Sequence, residues 1–96
     1  MGMNTLVFDW DQWNIQKNEI KHGVSRLEAE SLFFDSDLKL FKDQRHSSVT
    51  ERRWIGYGKS KTQRVLMVAF TLRRHKVRII SVRPASKSER RVYHES

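Results

Sequence analysis

Between Val65 and Leu72 nearly every position is apolar, the pattern of a strand buried on both faces, so this segment is expected at the centre of a sheet. Just upstream, Arg53, Ile55 and Tyr57 alternate with Arg52, Trp54 and Gly56, which predicts a strand with two differently dressed faces. Just downstream, Val77, Ile79, Ile80 and Val82 mark a third strand from Lys76 to Arg83, ended by Pro84. The links, Gly58 to Gln63 and Arg73-Arg74-His75, are short, and short links between successive strands predict an antiparallel meander.

The first half of the chain reads differently. Thr5 to Phe8 predicts a short strand ending at Asp9-Trp10-Asp11, with Asp11 or Asp9 capping a helix that carries Trp13 and Ile20 on one face. His22-Gly23 closes that helix, since glycine suits the left-handed position after a helix and a histidine favours its negative end. Ser25-x-x-Glu28 is a capping-box signature for a second helix, with Val24 placed to staple onto Ala29, Leu32 and Phe33 continuing that face and Leu27 on its flank. It should stop near Phe34, before the turn residues Asp35-Ser36-Asp37, and Leu38 to Phe41 should form another short strand. A second box, Ser86-x-x-Glu89, opens a short C-terminal helix. The whole predicts one α+β domain over residues 1–96, with Trp10, Trp13, Phe33, Trp54 and Phe70 in its core.

Composition narrows the function. The 96 residues include no cysteine, so a disulfide framework and a thiolate metal site are both excluded. The four histidines, His22, His46, His75 and His94, show no metal-ligand spacing, and neither a phosphate-binding glycine loop nor a serine-nucleophile signature is present. No cofactor is expected. No apolar run approaches the roughly 20 residues needed to cross a bilayer, and no signal-peptide pattern opens the chain, so a cytoplasmic protein without membrane contact is expected.

The net charge of +8 is unevenly placed. Residues 1–43 hold five Lys and Arg against eight Asp and Glu, a net of −3, whereas residues 44–96 hold fourteen against three, a net of +11. Such a basic half points to a polyanionic partner, nucleic acid first. Lys76, Arg78, Arg83, Lys87, Arg90 and Arg91 crowd one strand–turn–helix, and arginine within a strand requires a solvated groove or an anion. With Arg53 on a neighbouring strand, and Glu51 and His46 in the polar connection of residues 42–50, these side chains can serve RNA cleavage. That reaction needs a group to take the 2′-OH proton and positive charge on the pentacoordinate phosphate. Guanidinium forks match phosphate bidentately. Arg78 and Arg83 have opposite parity, so a regular strand would put them on opposite faces unless a bulge intervenes.

Several stretches resemble the BrnT toxins of bacterial type II toxin–antitoxin modules. They are Phe8-Asp9-Trp10-Asp11, Lys21-His22-Gly23-Val24-Ser25 with Glu28-Ala29, and Arg45-His46-Ser47 followed by Glu51-x-Arg53-Trp54 and Gly56. Near the end come Arg78-Ile79-Ile80-Ser81-Val82-Arg83, Ala85, Glu89-Arg90-Arg91 and Tyr93. The family pattern has a glycine between positions 73 and 76, where this chain has Arg74-His75. The resemblance implies a RelE-like fold, an antiparallel β-sheet with two N-terminal helices packed on it and a short C-terminal helix. It also implies a metal-independent endoribonuclease that inhibits translation. The partners implied are RNA and a BrnA-like ribbon-helix-helix antitoxin, with operator DNA reached only through the antitoxin complex.

On that basis Arg78, Arg83 and Arg53 are expected at the phosphate and Glu51 or His46 at the 2′-OH, His46 having the better reference pKa and Glu51 the alternative role of tying down Arg53 or Arg83. Arg64, Lys76, Lys87, Arg90 and Tyr93 are expected along the RNA, Tyr93 either stacking on a base or packing its helix over the sheet. The other reading is a non-catalytic basic module that binds RNA or an acidic antitoxin segment.

Overall fold

A computed structural model describes residues 6–47 and 51–95. Thr5 of the first expected strand and positions 48–50 of the polar connection lie outside them. The elements are β1 (Val7–Trp10), α1 (Gln12–His22), α2 (Arg26–Ser31) continued by a 3-10 turn (Leu32–Phe34), β2 (Lys39–Lys42), β3 (Arg53–Lys59), β4 (Val65–Arg73), β5 (Lys76–Pro84) and α3 (Lys87–His94). Five strands form one sheet in the order β1-β5-β4-β3-β2, with β4 in the middle as its apolar run requires. None of the helices among the described residues is long and apolar enough to cross a membrane.

The sheet is mixed rather than antiparallel. β3 to β5 form the expected meander and β2 extends it antiparallel to β3, but β1 runs parallel to β5, with Asp9 opposite Arg78 and Trp10 opposite Ile79. Local signals fix the meander through its short turns. The direction of β1 depends on how two helices return the chain, which no local pattern encodes.

Register sorts the side chains into two faces, because residues opposed across a ladder point the same way. One face carries Phe8, Trp10, Trp54, Leu66, Val68, Phe70, Val77, Ile79 and Val82, and against it the helices place Val24, Ala29, Leu32 and Phe33. Phe33 lies edge-on to Phe70, ring centroids 5.0 Å apart. Gly58 lets this layer close: a Cβ there would stand 2.9 Å from Leu38 Cδ1. The opposite face carries Arg53, Ile55 and Tyr57, Met67, Ala69 and Thr71, and Arg78 and Arg83; among the described residues α3 packs at one end of it, and Ala69 and Thr71 within it are buried.

Helix α1 meets the sheet with the other side from the one its apolar residues suggested. Trp13 is 68% exposed and Ile20 86% exposed, so Trp13 is not a core residue. Asn14, Ile15, Asn18 and His22 face inward instead. The reason is a hydrogen bond: β1 pairs with β5 only as far as Ile79, and beyond it Asn18 Oδ1 accepts from Val82 N at 3.3 Å. A buried polar residue thus replaces a missing strand partner. Leu27 is also more than half exposed.

Both capping serines accept as expected, Ser25 from Glu28 N and Ser86 from Glu89 N. Only α3 has the reciprocal limb, Ser86 N to Glu89 Oε1 at 2.8 Å. Glu28 turns away to accept from Arg64 Nε (2.7 Å), Ser60 Oγ (2.7 Å) and Thr62 Oγ1 (2.6 Å), clasping α2 to the β3–β4 turn. These donors, Arg64 above all, hold its carboxyl down at about 2 against the opposing effect of burial. Gly23, at φ 65°, ends α1 in the left-handed conformation.

Candidate active site

The three arginines singled out in the sequence share one face because β5 is bulged. Ala69 pairs with Ser81, but Phe70 pairs with Ile79, so Ile80 is an extra residue with no opposite number on β4. One extra residue reverses the parity beyond it. Arg78 therefore opposes Thr71, and Arg83 opposes Met67, four positions away along β4 and on the same side. Arg53 also opposes Thr71. Asp9, Arg78, Thr71 and Arg53 thus form one row across β1, β5, β4 and β3, and Arg83, Met67, Tyr57 and Lys39 form another.

Each arginine is held differently. Arg78 Nη1 donates to Asp9 Oδ2 at 3.0 Å, with Asp11 at 3.9 Å from Nη2. Arg83 forms a two-pronged pair with Glu89 on α3, 2.8 and 2.9 Å, and its Nη1 reaches the Pro84 carbonyl at 3.2 Å. This pairing raises the Arg83 pKa and lowers that of Glu89, in each case against burial. Among the described residues the buried Arg53 Nε has no hydrogen-bond partner, and neither has the buried Thr71 hydroxyl opposite it. These two groups lie under the surface at one end of the row, Thr71 only 2% exposed, while Arg78 and Arg83, 27% and 35% exposed, are the guanidiniums that an oxyanion can reach directly.

The connection after β2 is stitched to Arg53 by backbone and serine. Asp43 N donates to Arg53 O at 2.8 Å, Arg53 N donates to Ser47 Oγ at 2.9 Å, and Ser47 Oγ donates to Asp43 O at 2.6 Å. His46 sits on this loop with Nδ1 2.9 Å from Asp43 Oδ2. An ionised carboxylate only accepts, so Nδ1 of the neutral ring carries the proton and Nε2 keeps its lone pair. Burial pushes the Asp43 carboxyl up, but its bonds to His46 outweigh this and leave it low, hence ionised at neutral pH.

Glu51 accepts from Arg73 Nη2 at 2.6 Å, an arginine other than the expected Arg53 or Arg83. Lys76 stands exposed at the start of β5, beyond the Arg78 row. Lys87 and Arg90 are exposed on α3, where Arg90 Nη1 donates to Ala85 O at 2.8 Å. Arg64 is not brought to this group: it binds Glu28 and, through Nη2, the Gly23 carbonyl at 2.8 Å. Tyr93 packs and does not stack outward. It is 7% exposed against Val65 and Ala85, and its hydroxyl donates to Asp35 Oδ2 at 2.7 Å. Burial, then Asp35, pushes its pKa up to about 12. His22 is half-buried at the end of α1, its pKa lowered first by burial and then by Lys21, Arg83 and Lys17. Among the described residues no group of three or more His, Cys, Asp or Glu side chains could hold a metal.

Sequence reasoning missed Thr71, Asp43, Asp9 and Glu89 as parts of this group. The i,i+3 spacing of Asp43 and His46 was a usable signal, and the capping glutamate could have been asked what its second oxygen does. Thr71 was hidden inside an apolar run.

An open sheet face that gathers arginines beside a carboxylate-oriented histidine has the chemistry of a phosphodiester-handling protein. The model of a protein family described as the ribonuclease toxin BrnT of type II toxin–antitoxin systems matches residues 10–89, and the chain belongs to that family. Among solved structures, the crystal structure of the Brucella abortus ribonuclease toxin BrnT is similar at 24% identity and a TM-score of 0.62, over 86% of this chain and 100% of that chain. That likeness speaks for the fold. No curated protein matches the chain.

Proposed function

We propose that this BrnT-family toxin is a RelE-like, metal-independent endoribonuclease of the cytoplasm that inhibits translation by cutting RNA on the open sheet face. The observation that carries the reading is the Ile80 bulge, which sets Arg53, Arg78 and Arg83 on one side of the sheet. His46 Nε2 takes the 2′-OH proton, and Glu51 is the alternative acceptor. The 2′-oxygen attacks phosphorus, the bond to the 5′-oxygen breaks and that oxygen takes a proton from water, leaving a 2′,3′-cyclic phosphate and a 5′-OH, while His46 returns its proton to solvent. Arg78 and Arg53 stabilise the charge that builds on the phosphate, with the buried Thr71 between them on the sheet; Arg83 joins them on releasing Glu89. The experiment is to incubate the purified, partner-free protein with single-stranded RNA in EDTA and determine the product ends. Activity that vanishes on chelation and returns with a divalent metal contradicts the mechanism.

The cognate antitoxin, a BrnA-like ribbon-helix-helix protein that brings the pair to operator DNA, is proposed to cover the same face with an acidic segment. Arg78 donating to Asp9 and the Arg83 fork donating to both oxygens of Glu89 are carboxylate contacts of that kind, which supports that geometry. Association should slow steeply as salt rises. An on-rate indifferent to salt places the interface elsewhere.

A further inference from the structure

Phe41 lies on the edge strand β2 opposite Ile55, on the arginine face, and is 42% exposed. Its ring rests on Tyr57, centroids 5.4 Å apart at 50°, and Tyr57 in turn packs against the Val65, Ala85 and Tyr93 cluster. The outer aromatic is thus supported from behind and open in front. Arg53, two residues along β3 from Ile55, is the diagonal neighbour of Phe41, a backbone separation of about 7–8 Å in an antiparallel ladder. The loop bearing His46 begins two residues after Phe41 and is tied to Arg53.

We infer that Phe41, backed by Tyr57, is the stacking platform for one base of the single-stranded RNA whose phosphate Arg53 holds. The inference rests on the ribonuclease reading above and adds where the substrate's base goes. An exposed aromatic on a sheet edge invites either a base or an apolar protein side chain. Here the charge decides: the neighbouring cations, Arg53 and beyond it Arg78, complement a chain that carries negative phosphates and flat π faces together, which is nucleic acid. Stacking accepts any base, so the platform positions the nucleotide beside His46 without demanding a sequence.

The test uses short single-stranded 2′-O-methyl RNA, which cannot cleave itself, and a set of the same oligonucleotides each lacking one base. Phe41→Ala is expected to weaken binding of the intact oligonucleotide by about tenfold or more, the scale of one lost stack. One abasic position should cost the unaltered protein a similar factor and cost Phe41→Ala nothing further. Phe41→Leu, which keeps apolar cover over Tyr57 without a π face, should behave like Phe41→Ala, and Phe41→Trp like the unaltered protein. If every abasic position costs all four proteins alike, Phe41 is no platform while RNA binding itself stands. Full RNA binding by Phe41→Ala with loss only of antitoxin binding assigns Phe41 to the partner and overturns the inference. An unaltered protein that binds no RNA overturns both this inference and the reading beneath it.

Discussion

Arg78 and Arg83, five residues apart on β5, stand on the same face of the sheet because Ile80 between them is bulged out of register with β4. In a regular strand one of the two would point into the helix-covered core, where an unpaired guanidinium is costly. The bulge lets Ile79 and Val82 remain buried while both arginines reach the open side.

The histidine on the adjoining loop gives the first prediction. With Asp43 fixing the Nδ1 proton, His46→Ala should lower single-turnover RNA cleavage by about 10²–10⁴-fold, the range of a lost general base. Asp43→Asn should lower it less, through a misdirected ring. A larger loss from Glu51→Gln than from His46→Ala would transfer the role to Glu51.

A second prediction comes from the unmet hydroxyl of Thr71. Thr71→Val keeps the shape and removes a buried donor without a partner, so the fold should gain on the order of 1 kcal/mol in denaturant melts. Cleavage should fall at the same time, because the group faces both Arg53 and Arg78. A variant that loses stability, or gains it with unchanged activity, removes Thr71 from the site.

Much of the fold was legible where the signals are local. The three meander strands, both serine caps, the Gly23 stop and the central place of β4 all follow from patterns within a dozen residues. What escaped depends on partners far along the chain. Trp13 and Ile20 looked like the buried face of α1 until Asn18 found Val82, and Glu28 looked like a capping partner until Arg64 reached it from the β3–β4 turn. At the site, Arg53, Arg78 and Arg83 were visible as charge on strands, and even the need for a bulge could be stated. Its position at Ile80 is set by pairing with β4, and the tie from Glu51 to Arg73 spans 22 residues.

The Glu28 clasp makes stability depend on acid. Its folded pKa of about 2 lies below its ordinary 4.5, so the stabilisation, about 3 kcal/mol, is complete above the unfolded value and is lost as pH falls from near 4.5 towards 2. Glu28→Gln should melt lower at pH 7 and show a flatter profile across that window. An unchanged acid profile would mean that other carboxylates dominate.

The β4–β5 hairpin gives another. Arg74 (φ 51°) and His75 (φ 67°) both lie in the left-handed region, as a two-residue turn of this hand requires, and neither is a glycine. His75→Gly relieves that cost. It should stabilise the chain by about 0.5–1 kcal/mol without altering cleavage. A loss of stability on chemical denaturation would show that His75 makes a compensating contact.

The central claim is that one face of the sheet cuts RNA, and single-turnover cleavage in EDTA across a panel of charge removals tests it most directly. Arg53→Ala, Arg78→Ala and Arg83→Ala should each slow the reaction by about 10²–10³-fold. Lys21→Ala and Arg26→Ala, exposed on the helical side, should cleave at the unaltered rate with similar melting transitions. Equal losses on both sides, or full activity in the three face variants, would contradict the assignment of the site to this face.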